Sequence, residues 1–164
     1  MEIDLSEKKH ILVALVEDKP GVLARVASLF RRRGFNIQSL VVGHCEHAHL
    51  SRMTIVTKGR FMDIEQVRKQ LDKLINVVRV TDITDRSMVA RELALIKVNA
   101  TTTTRNEIIQ IVDIFRANIV DVSINTLTVE ATGDESKLES LLDLLRRFGI
   151  KEISRTGKIA MARQ

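Results

Sequence analysis

The densest group of reactive side chains in this sequence is His44, Cys45, His47 and His49, written HCEHAH. Imidazole and thiolate are zinc ligands, and ligands two residues apart on a strand share a face. Structural zinc sites, however, join a C-x-x-C half to a distant second half, and this sequence has a single cysteine. The run therefore reads as the solvated tip of a hairpin, where composition drifts freely, and no metal is expected.

A second candidate is Asp18-Lys19-Pro20-Gly21-Val22-Leu23, where an apolar strand ends and a helix begins. Pro20 suits a position near the first helical turn because its missing N–H is not needed there, and Gly21 removes the Cβ that would block a close ligand. Outward-pointing N–H groups and the helix dipole favour an anion such as a carboxylate, the dipole part by roughly 0.3 to 2 kcal/mol. Asn36 opens the second strand, where it can lie near an opposing subunit's loop and accept from an ammonium. Val22, Leu23 and Ile37 would supply apolar walls. Carboxylate cradle, amine acceptor and apolar pocket together describe an aliphatic α-amino acid. The Pro-Gly pair is equally an efficient helix start that binds nothing, and the residues alone leave both readings open.

Other chemistry is sparse. There is no G-x-G-x-x-G, P-loop, G-x-S-x-G or H-E-x-x-H, which weakens an enzymatic reading, and no catalytic residue is expected. Asn99-Ala100-Thr101 matches a glycosylation sequon, but without a secretory signal it has no route to modification.

The elements that must position these residues repeat one pattern. Ile11 to Val16 is an apolar run of strand length, followed by a helical stripe of Val22, Val26, Leu29 and Phe30 that Gly34 closes. Asn36 to Gly43 and Leu50 to Lys58 read as a hairpin. Asp63 is expected to cap a second helix with the stripe Ile64, Val67, Leu71 and Leu74, and Val77 to Asp82 is a fourth strand. The order recurs after Asp85: strand Leu93 to Val98, helix stripe Ile108, Ile111, Val112 and Phe115, strands Ile119 to Ile124 and Leu127 to Ala131. A last helix carries Leu138, Leu141, Leu142, Leu145 and Phe148, Gly149 stops it, and strand Ile150 to Ser154 follows, with an extra hairpin strand Lys158 to Ala162. The predicted fold is α+β, two tandem ferredoxin-like βαββαβ domains at 10–85 and 86–164 behind a 1–9 extension.

Helices of this fold cover one side of the sheet, yet several strands are apolar on both faces, so the sheets are expected to pair or pack across a homodimer or between the repeats. The chain has 164 residues and a formal charge of +5, with both signs interspersed, which suits a solvated surface. No run of about 18 apolar residues appears, and with the lone Cys45 this predicts a cytoplasmic protein that makes no membrane contact. The same element order occurs in RNA-binding RRM modules. Their base-stacking aromatics are missing from ILVALV and LSRMTIV, and the chain has neither Trp nor Tyr, so no nucleic acid is expected.

The stretch DKPGVLARVASLFRRRGFNIQSL, then LSRMTIVTKG and RELALIKV, closely resembles the small regulatory subunit of acetohydroxyacid (acetolactate) synthase, from His10 to the C-terminus. The first half resembles an ACT domain, a ligand-binding module of amino-acid metabolism. The resemblance implies a non-catalytic chain that binds and activates a large catalytic subunit in branched-chain amino-acid biosynthesis and confers feedback inhibition by valine or a related amino acid. It implies no cofactor in this chain, with thiamine diphosphate, magnesium and FAD on the catalytic subunit. It also places the effector site at an ACT dimer interface, mapping onto Asp18, Gly21, Val22, Leu23, Asn36 and Ile37, with Lys19 and Pro20 in the same loop. The family often has asparagine where this chain has Asp18, a carboxylate suited to an ammonium. HCEHAH replaces the family's usual acidic, proline-containing turn.

Overall fold

The computed structural model describes residues 6–164. Its elements run β1 (Lys8–Glu17), α1 (Val22–Arg32), β2 (Ile37–His44), β3 (Leu50–Gly59), α2 (Phe61–Leu71) and β4 (Val77–Asp82). The same order follows in β5 (Met88–Asn99), α3 (Arg105–Ile114), β6 (Asn118–Val122), β7 (Thr126–Gly133), α4 (Glu135–Arg146) and β8 (Ile150–Arg155), and β9 (Ile159–Ala162) ends the chain. The sheets are ordered β2-β3-β1-β4 and β6-β7-β5-β8, both antiparallel, which is the expected tandem ferredoxin-like fold.

Each sheet buries one face under its own two helices. In the N-terminal unit Leu12, Ala14 and Val16 of β1 meet Val22, Val26, Leu29 and Phe30 of α1 and Ile64, Val67 and Leu71 of α2. Alternation along the strand and a stripe along each helix make these faces. The C-terminal unit repeats the arrangement with Ala94, Ile96 and Val98 against Ile108, Val112, Leu138 and Leu141. Gly34 and Gly149 end α1 and α4 at φ of 73° and 89°, a region open to glycine without steric cost.

Several expectations need correction. Residues 1–5 of the expected extension lie outside the described residues, and Lys8 and Lys9 already belong to β1. Asp63 does not cap α2: Arg60 holds that position without a side-chain cap bond, and Asp63 sits in the first turn, accepting from Arg60 Nε at 2.6 Å. A carboxylate there still complements the dipole, which is why the residue looked like a cap. Leu74 lies beyond the end of α2 but packs on the core. The last strand forms no hairpin with β8; it pairs with β5, and the Arg163 N–H reaches the Ser87 carbonyl at 2.8 Å. Gly157, at φ 90°, lets the chain turn away from β8 first.

By compactness the chain divides into residues up to Val89 together with Lys158–Gln164, and Ala90–Gly157. The C-terminal segment bears on the second face of the N-terminal sheet. Ile11, Val56 and Ile83 are buried there outside the helix-covered cluster, Ala160 is buried with them, and the Lys158 N–H donates to Ser39 Oγ at 3.1 Å. Part of the cover that the two-faced strands demand thus comes from the chain's own end.

Candidate functional site

β1 delivers the chain to the loop Asp18–Gly21, and α1 starts at Val22 with Gly21 as its N-cap. Gly21 has φ 85° and ψ −10°, and a Cβ built on it would touch nothing within 4 Å. Its backbone conformation, more than crowding within the chain, therefore calls for glycine here. Pro20 precedes the cap and is not itself helical.

No side chain caps α1, and its first turn holds no acidic residue. The Val22 N–H makes a long 3.4 Å contact to the Lys19 carbonyl. The N–H groups of Gly21, Leu23 and Ala24 find no acceptor among the described residues. An α-helix leaves its first donors unpaired, and here they stay open at the dipole's positive end, the arrangement that favours a carboxylate.

The loop is braced from two sides. The Asp18 N–H donates to the His49 carbonyl at 2.8 Å, and Asp18 Oδ2 lies 3.4 Å from His44 Nδ1. On the other side Glu17 donates its N–H to the Asn76 carbonyl at 2.8 Å and accepts from Asn76 Nδ2 at 2.7 Å, while Lys19 Nζ lies 3.0 Å from the same carboxylate. Asn76 in turn accepts from Arg25 of α1. The Asn76 and Lys19 bonds hold the Glu17 carboxyl below its usual range. None of His44, His49, Asn76 or Arg25 was legible as part of the site. His49 has φ 64°, and no sequence pattern announces a carbonyl that serves from that conformation.

Asn36 and Ile37 lie elsewhere within one chain. Ile37 pairs with Thr57, which pairs with His10, whereas the loop follows Glu17, which pairs with Leu50. The seven residue steps from His10 to Glu17 span roughly 24 Å at strand rise, so one chain does not bring Asn36 to its own loop. Asn36 is exposed, and its carbonyl accepts from Thr57 Oγ1 at 2.9 Å. Of the remaining candidates, Val22 is in the core and Leu23 is 46% exposed.

HCEHAH forms the β2–β3 turn. Cys45 Sγ faces the carbonyls of His47 and Leu50 at 3.8 and 3.6 Å, and His47 Nε2 lies 3.7 Å from Glu46. Among the described residues no three His, Cys, Asp or Glu side chains gather to hold a metal.

The second repeat builds the corresponding turn differently. In the β5–α3 loop, Thr101 N–H donates to Thr104 Oγ1 at 3.0 Å, and the Thr104 and Arg105 N–H groups both reach the Thr101 carbonyl. Arg105 Nη2 spans to the carbonyls of Ser123 and Ile124 at 2.8 Å each. Threonine hydroxyls thus engage this turn; the Asn106 and Glu107 N–H groups still find no acceptor among the described residues, but α3, unlike α1, carries a carboxylate, Glu107, in its first turn.

Residues 12–79 match the family model described as AHAS small subunit-like ACT domain, and residues 91–164 the one described as small subunit of acetolactate synthase. A probable acetolactate synthase small subunit of Archaeoglobus fulgidus is 57% identical over 155 residues, covering 94% of this chain and 97% of that one. The acetolactate synthase small subunit of Mycobacterium bovis is 55% identical over 159 residues, covering 97% and 95%. The crystal structure of an acetolactate synthase small subunit from Thermotoga maritima superposes with a TM-score of 0.87 at 46% identity, covering 96% of this chain and 98% of that one. Among the described residues no helix is long and apolar enough to cross a membrane.

Proposed function

Since this chain belongs to the acetolactate synthase small-subunit family, we propose that it activates a catalytic large subunit in the cytoplasm and carries feedback inhibition by valine or a related branched-chain amino acid. The observation that carries this is the open nest at Gly21, Leu23 and Ala24, with no acidic residue in the first turn of its helix, where the second repeat has Glu107. We assign effector binding to residues 10–85 and treat 86–164 as a second, ferredoxin-like ACT-like domain. The thiamine diphosphate, magnesium and FAD of the reaction belong to the large subunit.

The site we infer needs two copies. β2 is an edge strand, and antiparallel pairing of β2 with β2 of a second copy sets the start of one against the end of the other. His44, at the end of β2, is already 3.4 Å from Asp18, so Asn36 and Ile37 of the second copy would arrive beside the loop. The effector carboxylate then lies on the nest, its ammonium meets the Asn36 amide oxygen and Asp18, and its side chain meets Leu23 and Ile37. Lys19 and Pro20 shape the loop. Twofold symmetry gives two such sites per dimer. An effector spanning two subunits biases their relative arrangement, and a coupling of about 1 to 3 kcal/mol gives about 5- to 150-fold modulation of the large subunit.

The test is isothermal titration of valine, leucine and isoleucine into the full chain, with sedimentation of the same samples. One effector per chain in a dimer is expected. Undiminished binding to a monomer defeats the two-copy site. The RRM-like alternative gains nothing: β1 and β3 carry no aromatic residue, and the chain's own end lies on that face.

A further inference from the structure

The second face of the N-terminal sheet carries a cavity of about 480 Å³, walled on one side by Ala160–Ala162. Its floor is apolar, built from Val13, Leu15 and Ile83. Leu15 pairs with Arg52 on β3 and with Arg79 on β4, so a guanidinium stem stands on either side of that floor, and Arg86 joins them at the rim. Glu46 and His47 of the HCEHAH turn close the remaining edge.

The charges here do not cancel. Arg52 donates to Glu46 Oε1 at 2.8 Å, which holds the Glu46 carboxyl below its usual range and makes that pair neutral as a unit. Arg79 and Arg86 form no side-chain hydrogen bond or ion pair with any described residue. On their far side they border a polar depression containing Glu65, Asp72 and Asp82, but those carboxylates are committed. Glu65 and Asp72 take Arg68 at 2.7 and 2.9 Å, and Asp82 faces His10 Nδ1 at 3.2 Å and accepts from the Thr84 N–H at 2.8 Å. Two free guanidinium forks therefore stand beside an apolar floor.

We propose that this cavity is a second ligand site, for a small aliphatic anion whose carboxylate or phosphate lies on Arg79 and Arg86 and whose chain covers Val13, Leu15 and Ile83. The volume is of the size that small molecules fill, about 300 to 1,000 Å³. Guanidinium forks match the planar or tetrahedral oxygens of such head groups. An amino acid suits the cavity less well, because its one carboxylate, Glu46, is already neutralised by Arg52 while two further guanidinium groups stand unpaired. The turn that edges the cavity through Glu46 and His47 also supplies the His49 carbonyl to Asp18. Anion binding is therefore coupled to effector binding, and reciprocally. That coupling rests on the effector reading above; the anion site itself does not.

Hexanoate, hexyl phosphate and, as the uncharged control, 1-hexanol are titrated into the full chain, following the methyl resonances of Leu15 and Ile83. At least one anion should bind tenfold or more tighter than hexanol and shift those methyls, and comparison of the two anions tells carboxylate from phosphate. The double variant Arg79→Gln, Arg86→Gln, both exposed side chains, should lose tenfold or more of that affinity while keeping its mass in sedimentation. Equal binding of hexanol and both anions overturns the proposal, as does unweakened binding to the double variant. A lower assembly mass in the double variant also overturns it, because the face would then be a subunit contact. Anion binding in a chain that ignores all three branched-chain amino acids would leave this site standing and remove the effector reading.

Discussion

Asp18 and His49 are tied through their main chains: the Asp18 N–H donates to the His49 carbonyl at 2.8 Å, and His49 offers it from φ 64°. The imidazole takes no part in that bond. His49→Gly should therefore keep effector binding and shift stability by less than about 1 kcal/mol, since relief of the left-handed strain and the added freedom of the unfolded chain oppose each other. His49→Val, β-branched and ill suited to positive φ, should cost about 1 to 2 kcal/mol and weaken the effector. Thermal melts with valine titration separate the two, and lost binding in His49→Gly would assign the ring a role that the geometry does not give it.

Gly21 meets two different demands, and two substitutions part them. Its φ of 85° costs any L-residue about 1 to 2 kcal/mol, although no neighbour crowds a Cβ. Gly21→Ala should lower the melting temperature by a few degrees and retain a reduced valine response. Gly21→Asp adds a carboxylate to the open donors and should abolish valine inhibition of the reconstituted enzyme while the activation that accompanies assembly persists. Full inhibition in Gly21→Asp would remove the nest from the mechanism.

What the sequence disclosed follows from which interactions are local. The stripe Val22, Val26, Leu29 and Phe30 and the run Val77 to Asp82 were legible because neighbours in sequence share one face, and both appear as elements with those residues placed as expected. β5 begins at Met88, well before Leu93, because the strand runs on through Arg91 and Glu92, two charges that part the short apolar run Met88-Val89-Ala90 from the one that starts at Leu93. The pairing of β9 with β5 joins segments about 70 residues apart, and alternation within a strand says nothing of its partner. At the site, Pro20 and Gly21 advertised the turn. Asn76 and His49 did not, because they act from β-sheet ends that only the folded register brings to the loop.

Glu17 makes the loop's anchoring sensitive to acid. Its carboxyl is held low in the folded chain, first by the Asn76 hydrogen bond and then by Lys19. A depressed folded value means that the stabilisation is whole above the unfolded carboxylate range near 4.3 and is lost as pH falls through the folded value. Glu17→Gln should therefore be less stable than the parent at pH 7, with the gap closing in acid. Urea melts at pH 7 and pH 3 read this directly, and a gap of the same size at both would show that the charge is immaterial.

In the C-terminal unit Arg155 grips Glu92 with two bonds, at 2.8 and 2.9 Å, and Glu139 with a third at 2.7 Å. The Glu92 bonds push the Arg155 pKa up, and Glu92 is only 8% exposed. Arg155→Met would strand that carboxylate and should cost about 2 to 4 kcal/mol. Arg155→Lys should recover only part, because an ammonium cannot reproduce the fork. Chemical denaturation checks both, and a loss below about 0.5 kcal/mol in Arg155→Met would show that solvent reaches the pair.

The two-copy site makes a demand that no single-chain site shares. In the proposed site the loop comes from one chain and Asn36 from the other, so chains carrying Gly21→Asp and chains carrying Asn36→Ala should each fail to bind valine well. The second loses a charge-assisted acceptor worth about 1.5 to 3 kcal/mol, roughly 10- to 150-fold in affinity. In a mixed dimer one site carries both lesions, while the other combines an intact loop with an intact Asn36. Unfolding and refolding the two variants together in equal amounts makes about half the dimers mixed, so about a quarter of the full site count should return at undiminished affinity. Calorimetry of the mixture against each variant alone measures that recovery. If none appears while native mass spectrometry shows that mixed dimers have formed, the pairing of β2 edges is not what builds the site.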